Sequence, residues 1–213
     1  MIVFSSSGFA DEHLFSFCSH KLNKVPQDIT CCVITTAAIP DKENNRWVLF
    51  TKQYLLGKGI LRISYFDFES DPPEELHKYN LIIIAGGNPY SLFYFVKKSH
   101  SEPILKTIAD SQNIIVGISA GAMLFTSGLH YISEWNRIMG FDSSKDNSIG
   151  LADLDGLKVV DMIVFPHYDL FLQKNPRLEE ELRRIEDRDG IKIYRLNNDR
   201  SFFLEQGRIV LIN

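Results

Sequence analysis

Ile114-Ile115-Val116-Gly117-Ile118-Ser119-Ala120-Gly121-Ala122 is the stretch on which the reading of this chain turns. Three aliphatic residues run into a G-x-S-x-G turn, and Met123-Leu124-Phe125 beyond it suits the opening of a helix. Strand, tight serine-bearing turn and helix together form the context of a nucleophile elbow. The glycines have a physical reason, because on so sharp a bend side chains two residues to either side of the serine would collide. The helix that follows aims unpaired N–H groups and its positive dipole end at charge developing on the serine side.

Outward from this turn, short and continuously apolar runs recur at 2–4, 30–36, 60–65, 81–85, 113–117 and 158–165. Runs of this kind fit strands covered on both faces. The segments 11–21, 44–57 and 90–110 between the early runs are long enough for helices. The alternation predicts an α/β fold with a mainly parallel, doubly wound sheet and helices on both faces. The C-terminal part changes character: 176–186 is a helix rich in Glu and Arg, and the run 191–194 follows it. The runs 201–204 and 209–211, with a turn at Gln206-Gly207, then form a hairpin expected at a sheet edge. No repeat or linker divides the chain, so 1–213 reads as a single domain.

Composition narrows the function classes. The chain has 213 residues, enough for a core without metal or disulfide staples. Its net charge of −4 gives no reason to expect nucleic acid or an anionic membrane as partner. The longest aliphatic stretch, 81–85, is far too short to cross a bilayer. The N-terminus reads as a first strand and not as a signal peptide, from which a cytoplasmic location is expected. Cys18, Cys31 and Cys32 make no CxxC or Cys/His metal spacing, and the adjacent pair points to opposite faces of a strand. They read as reduced structural thiols, and no metal or cofactor is expected.

The strand at 81–85 ends in Gly86-Gly87-Asn88-Pro89-Tyr90. In a parallel sheet this turn falls on the same edge as the Ser119 turn, since both follow strand C-termini. Paired glycines let backbone approach a substrate, so the Gly87 and Ala120 amides are candidate oxyanion donors. A serine nucleophile needs a base. His13, His20, His77 and His100 read as surface residues, and His130 falls past the helix that follows the turn. His167 closes the run Val164-Phe165-Pro166 and sits at a strand terminus. A carboxylate should orient its imidazole. Glu134 lies between Ser119 and His167 in the chain, with Asp142, Asp161, Asp169 and Asp199 as rivals.

With these residues the chain resembles the peptidase E family, the aspartyl dipeptidases related to cyanophycinases. The resemblance rests on Gly86-Gly87-Asn88, Ser119-Ala120-Gly121-Ala122 and Pro166-His167-Tyr168, in the order and spacing of the family, and covers most of the chain. It implies a class I glutamine amidotransferase-like, flavodoxin-like three-layer fold. It also implies a serine-type peptidase acting on short peptides, with Ser119 as nucleophile, His167 as general base and Glu134 near the family's acid. That acid is usually aspartate, so a glutamate resembles the cyanophycinase usage. Asn88 and Arg177, the latter nearest to the arginine that holds the acidic side chain in the dipeptidases, are the implied substrate-binding residues.

The departures are Pro89-Tyr90 in the glycine turn, Ile118 in place of a tryptophan, and Asn197-Asn198-Asp199 where the family carries a Pro-Glu-Gly-like segment. They keep the frame and weaken the case for strict N-terminal aspartate specificity. The absence of cysteine at the elbow argues against amidotransfer. The expected partner is a short peptide, with no nucleic acid and no membrane, for a monomer or homodimer. An α/β-hydrolase esterase and a catalytically impaired binding module are the alternatives.

Overall fold

The computed structural model describes residues 1–141, 147–205 and 208–212. Its centre is a seven-stranded sheet. It contains β1 (Ile2–Ser5), β2 (Thr30–Ile34), β3 (Arg62–Phe66), β4 (Leu81–Ile84), β5 (Ile114–Ile118), β8 (Ser201–Glu205) and β9 (Arg208–Leu211), in the order β3-β2-β4-β5-β1-β8-β9. The first five strands of that order run parallel. The antiparallel pair β8 and β9 closes one edge as the expected hairpin. The turn expected at Gln206-Gly207 lies outside the described residues.

The strand sequences are apolar throughout because both faces are covered. Ile2, Phe4, Cys32, Ile34, Ile82, Ile84 and Ile115 enter one core, and Val3, Cys31, Val33, Leu81, Ile83, Ile114 and Val116 enter the other. Neighbouring residues thus alternate between two cores, as the pleat requires. Helices α1 (Glu12–Leu22) and α2 (Arg46–Gly57) cover the second core, capped by Asp11 and Asn45. On the other face lie α3 (Pro89–Lys98), α4 (Glu102–Ala109), α5 (Ala120–Leu124) and α6 (Ile132–Ile138). Cys31 and Cys32 do face opposite cores, and burial pushes the Cys18 thiol up to about 12 and Cys31 well above its ordinary range. Thiolate chemistry is closed to them.

Two expectations change. The single helix read over 90–110 is two helices, α3 and α4. The break has a local cause: His100 takes φ 56°, the Ser99 hydroxyl donates to the Phe95 carbonyl at 2.6 Å, and Pro103 sits in the first turn of α4 with no N–H to give. The run 158–165 contributes only β6 (Ile163–Pro166), which does not join the main sheet. It pairs in parallel with β7 (Ile193–Leu196) in a separate two-stranded sheet. This small sheet and α8 (Leu178–Asp189) bury Val164, Phe165, Ile193, Leu182 and Ile185 in the same core as α5 and α6. The short helix α7 (Tyr168–Lys174) leaves directly from the end of β6.

Candidate active site

Five parallel strands deliver the residues that meet at one edge. In the main sheet the pairs Ser5↔Ile118 and Ile84↔Gly117 bring β1, β4 and β5 to their C-terminal ends together. Ser6, the Gly86-Gly87 turn and Ser119 follow those ends. In the small sheet the pair Pro166↔Leu196 sets His167 and Asn198 just beyond β6 and β7.

Ser119 stands at φ 52° and ψ −106°, a conformation that costs of order 1–3 kcal/mol and must be held by its surroundings. It is held on both sides. Its N–H donates to the Ser5 carbonyl at 2.9 Å, and its carbonyl accepts from the N–H groups of Ala122 and Met123. The flanking glycines are fixed by contact: a Cβ on Gly117 would lie 2.4 Å from the Gly121 carbonyl oxygen, and one on Gly121 would lie 2.4 Å from the Ile84 oxygen.

The glycine turn after β4 closes on the same point. A Cβ on Gly86 would come within 3.2 Å of Ser119 Cβ. Gly87 has φ 140°, and a Cβ there would meet the Ala37 carbonyl oxygen at 1.9 Å, so only glycine fits. The Asn88 N–H donates to that same Ala37 oxygen at 2.8 Å, which pins the turn to the loop after β2. Asn88 also caps α3, its Oδ1 accepting from the Ser91 N–H at 3.0 Å. The Ala120 N–H opens α5, where no earlier turn offers it a carbonyl.

His167 Nε2 lies 2.9 Å from Ser119 Oγ. The residue takes the left-handed conformation, φ 59° and ψ 27°, between β6 and α7. Its backbone N–H donates to Ser6 Oγ at 2.7 Å and its carbonyl accepts from the Phe171 N–H at 2.9 Å. On the far side of the ring, Nδ1 is 2.6 Å from Asn198 Oδ1 and 3.2 Å from Ser6 Oγ. The hydroxyls of Ser6 and Ser7 also donate to Asn198 Oδ1, at 3.1 and 2.6 Å. An oxygen surrounded by donors requires Nδ1 to carry the proton, which leaves the Nε2 lone pair facing Ser119. Asp169 accepts from the Asn198 backbone N–H at 3.0 Å and so anchors Asn198 without reaching the ring in this arrangement.

The surroundings stiffen this side. Arg195 on β7 donates to both carboxylate oxygens of Glu186 on α8, at 2.5 and 2.9 Å, and its Nε donates to Glu179 at 3.1 Å. The Tyr168 hydroxyl, next in the chain to His167, donates to the same Glu179 at 3.0 Å. The hydrogen bonds from Arg195 hold the Glu186 carboxyl below the usual carboxylate range.

Glu134 is not the partner of His167. Both its oxygens accept from Arg188 at 2.9 Å, with Arg137 at 3.5 Å, and the Arg188 hydrogen bonds hold its carboxyl below the usual range. It lies on the face of α6 that turns toward the end of α8. Asn198, a neutral amide, takes the place where a carboxylate was expected. Of the rival carboxylates, Asp199 is exposed beside Arg200 and Asp161 is exposed. Asp142 lies outside the described residues. Arg177 also stands apart: it caps α8 in solvent, pairs with Glu180 at 3.4 Å and faces a groove shared with Arg137 and Asn175. His130 pairs with Asp155 at 2.7 Å on another surface. Asn198 and Ser6 were missed as site residues. Their one sequence signal is a small polar residue within two positions of a strand's C-terminal end.

Ser119 and His167 open into a cavity of about 290 Å³, bounded by the Gly87 turn on one side and by α6 and α7 on the other. Among the described residues, no group of three or more His, Cys, Asp or Glu is placed to hold a metal ion. No helix among them is long and apolar enough to cross a membrane.

This fold and this edge define a class: three-layer α/β proteins that set a serine, on a strained strand-to-helix turn, against a histidine from a distant strand end. The chain belongs to peptidase family S51, whose family model matches residues 1–212. Among curated proteins it is 25% identical over 138 residues to the "Uncharacterized peptidase Lmo0363" of Listeria monocytogenes serovar 1/2a, covering 64% of this chain and 62% of the relative. It is 26% identical over 98 residues to the "Uncharacterized peptidase PM1590" of Pasteurella multocida, covering 46% and 44%. The matched stretches thus span less than two thirds of those relatives. Among solved structures it resembles a "Putative Peptidase E Protein" from Listeria monocytogenes EGD-e, with a TM-score of 0.71 at 21% identity over 99% of this chain and 96% of that one. It also resembles a peptidase from an acI-B1 Actinobacterium, with a TM-score of 0.55 at 15% identity over 94% and 81%. At these identities the structural likeness speaks for the fold, which matches the expected three-layer architecture.

Proposed function

We propose that the chain is a serine-type peptidase of the peptidase E kind, cleaving short peptides through an acyl-enzyme on Ser119. The observation that carries this reading is the 2.9 Å contact between Ser119 Oγ and His167 Nε2 at a shared sheet edge. Ser119 attacks the peptide carbonyl while Nε2 takes its proton. The Gly87 and Ala120 amides receive the oxyanion, and each such donor is worth ~2.7–4 kcal/mol where it has been removed. His167 then gives the proton to the leaving amine, and water, activated by the same nitrogen, releases the acyl group.

Asn198 is the positioning residue of this scheme. It keeps the imidazole in the useful tautomer and orientation, as the amide of Cys-His-Asn proteases does, but offers no charge to the imidazolium that forms. A chain with this neutral third member is expected to work more slowly than one with a carboxylate there. Membership of family S51 speaks against the α/β-hydrolase esterase considered from the sequence.

The test is labelling with a fluorophosphonate under native conditions, with release of free amino acids from dipeptides measured alongside. An adduct on Ser119, and turnover reduced by ~10⁶-fold in Ser119→Ala, are expected. A folded protein that forms no adduct would favour the binding-module reading, which the neutral Asn198 keeps in view.

A further inference from the structure

The small sheet that carries His167 has little of its own to hold it in shape. β6 and β7 have four residues each, and a two-stranded pair of that size is marginal by itself. Its last registered pair is Pro166↔Leu196, so the ladder does not fix the distance between His167 and Asn198 beyond it. His167 also stands at φ 59°, a backbone conformation that its surroundings must maintain. The 2.6 Å contact between Nδ1 and Asn198 Oδ1 therefore needs braces outside the two strands. Ser6 provides one from the main sheet, with bonds to both residues. The other comes from α8.

One carboxylate on α8 receives both chain segments. Glu179 Oε2 accepts from the Tyr168 hydroxyl at 3.0 Å and from Arg195 Nε at 3.1 Å. Tyr168 directly follows His167, and Arg195 lies three residues before Asn198. A single oxygen atom thus joins the segment that bears the base to the segment that bears its orienting amide. The companion Oε1 accepts from Arg183 at 2.8 Å, which steadies the carboxylate from its own helix. Glu186, two turns further along α8, makes a useful contrast. It accepts from the Ile193 N–H at 2.7 Å and from Arg195, and so grips β7 alone among the described residues. Burial would raise the Glu179 carboxyl, but hydrogen bonds from Arg183, Arg195 and Tyr168 outweigh it and hold the group below the usual carboxylate range. Glu179 is therefore an ionised acceptor, and bonds to such acceptors are the stronger and shorter kind.

We infer that Glu179 is a second positioning residue: through Tyr168 and Arg195 it sets the spacing of His167 and Asn198, and with it the aim of Nε2 at Ser119. This rests on the proposed serine-peptidase reading and adds to it a residue that acts only through others. The expected scale follows from geometry, since a misplacement of about 1 Å at the reacting groups can cost on the order of 10²-fold in rate.

The experiment uses the full chain and measures the rate of fluorophosphonate labelling of Ser119, with kcat and KM for each dipeptide that is turned over. Thermal unfolding establishes that each variant is folded. Glu179→Ala should slow labelling and lower kcat by about 10–100-fold, with KM changed by less than about threefold. Glu180→Gln, on an exposed neighbour that pairs with Arg177 and Arg184, should leave both rates unchanged. The deciding comparison is made in Asn198→Ala. There the aim of the ring is already lost, so adding Glu179→Ala should cost less than about threefold more. A residue that merely supports the fold would lower the unfolding temperature and leave the rates of the folded protein alone. If Glu179→Ala does not fold, Tyr168→Phe takes its place in the same comparison, with an expected loss of about fivefold for its single hydrogen bond. Unchanged rates in the folded variant, or losses that simply multiply in the double variant, would overturn this inference and leave the serine-peptidase reading standing. Absence of both labelling and turnover in the folded unaltered protein would remove both.

Discussion

The two sheets contribute to the site in different ways. The seven-stranded sheet supplies Ser119 and the Gly87 turn, and it positions them by backbone crowding: carbonyl oxygens stand where a Cβ on Gly87, Gly117 or Gly121 would have to be. The two-stranded sheet supplies His167 and Asn198, and it positions them by hydrogen bonds from residues far away in the chain. Ser6 and Ser7 reach across more than 160 residues to do so. A position fixed by crowding tolerates almost no substitution, whereas one fixed by several hydrogen bonds should lose function in steps as each is removed.

That contrast can be broken most sharply at Gly87. Gly87→Ala places a methyl group on the Ala37 carbonyl and must move the turn, so kcat should fall by at least ~10²–10³-fold, the cost of a lost oxyanion donor. Thermal unfolding at a lower temperature should accompany it. Steady-state kinetics and calorimetry check both, and a fully active variant would show that this amide takes no part.

Asn198 comes next. Asn198→Ala frees the imidazole and should lower kcat by about 10²–10³-fold, less than the ~10⁴-fold seen where the third member is a carboxylate. Asn198→Asp sharpens the point, because a negative charge beside the ring favours imidazolium. The acid limb of the pH–rate profile should then move to higher pH. An unmoved limb would mean that residue 198 does not face the ring during turnover.

Ser6→Ala removes one of the donors to Asn198 Oδ1 and the acceptor of the His167 backbone N–H, a loss of about 1–3 kcal/mol of stability with a roughly tenfold effect on kcat. Denaturant unfolding beside kinetics separates the two. The smallest effect is expected at Glu134. Glu134→Gln should leave turnover unchanged, since its carboxylate serves Arg188. Because Arg188 holds that carboxyl below the usual range, the contribution of Glu134 to stability is complete above the ordinary glutamate pKa and is lost as the pH falls through its lowered value. The variant should therefore show a flatter dependence of Tm on pH on the acid side, and little else.

The same contrast explains what the sequence discloses. The Ser119 turn is legible because its causes are local: an aliphatic strand, two glycines and the start of a helix within nine residues. The sheet is legible for the same kind of reason, in the alternation of apolar runs with longer segments. His167 could be found by its place after Val164-Phe165-Pro166. Asn198 could not be assigned to it, because the two meet only through the register of β6 on β7, and nothing in either segment states that Pro166 pairs with Leu196. Glu134 looked suitable from its order in the chain, but order does not say which way a helix turns its face, and here that face meets Arg188. The break at Ser99-His100-Ser101 escaped a reading that went by the length of the segment between two apolar runs, although Pro103 stood just beyond.

The three buried cysteines provide a readout of a different kind. Cys18 and Cys31 sit in one core and Cys32 in the other, none more than 1% exposed. An alkylating reagent can reach them only in molecules that have opened, so modification rates measured residue by residue would time the opening of each layer separately. If the layer with α1 and α2 opens without the other, Cys31 would react well ahead of its immediate neighbour, and the thiols of two consecutive residues would report on opposite halves of the molecule.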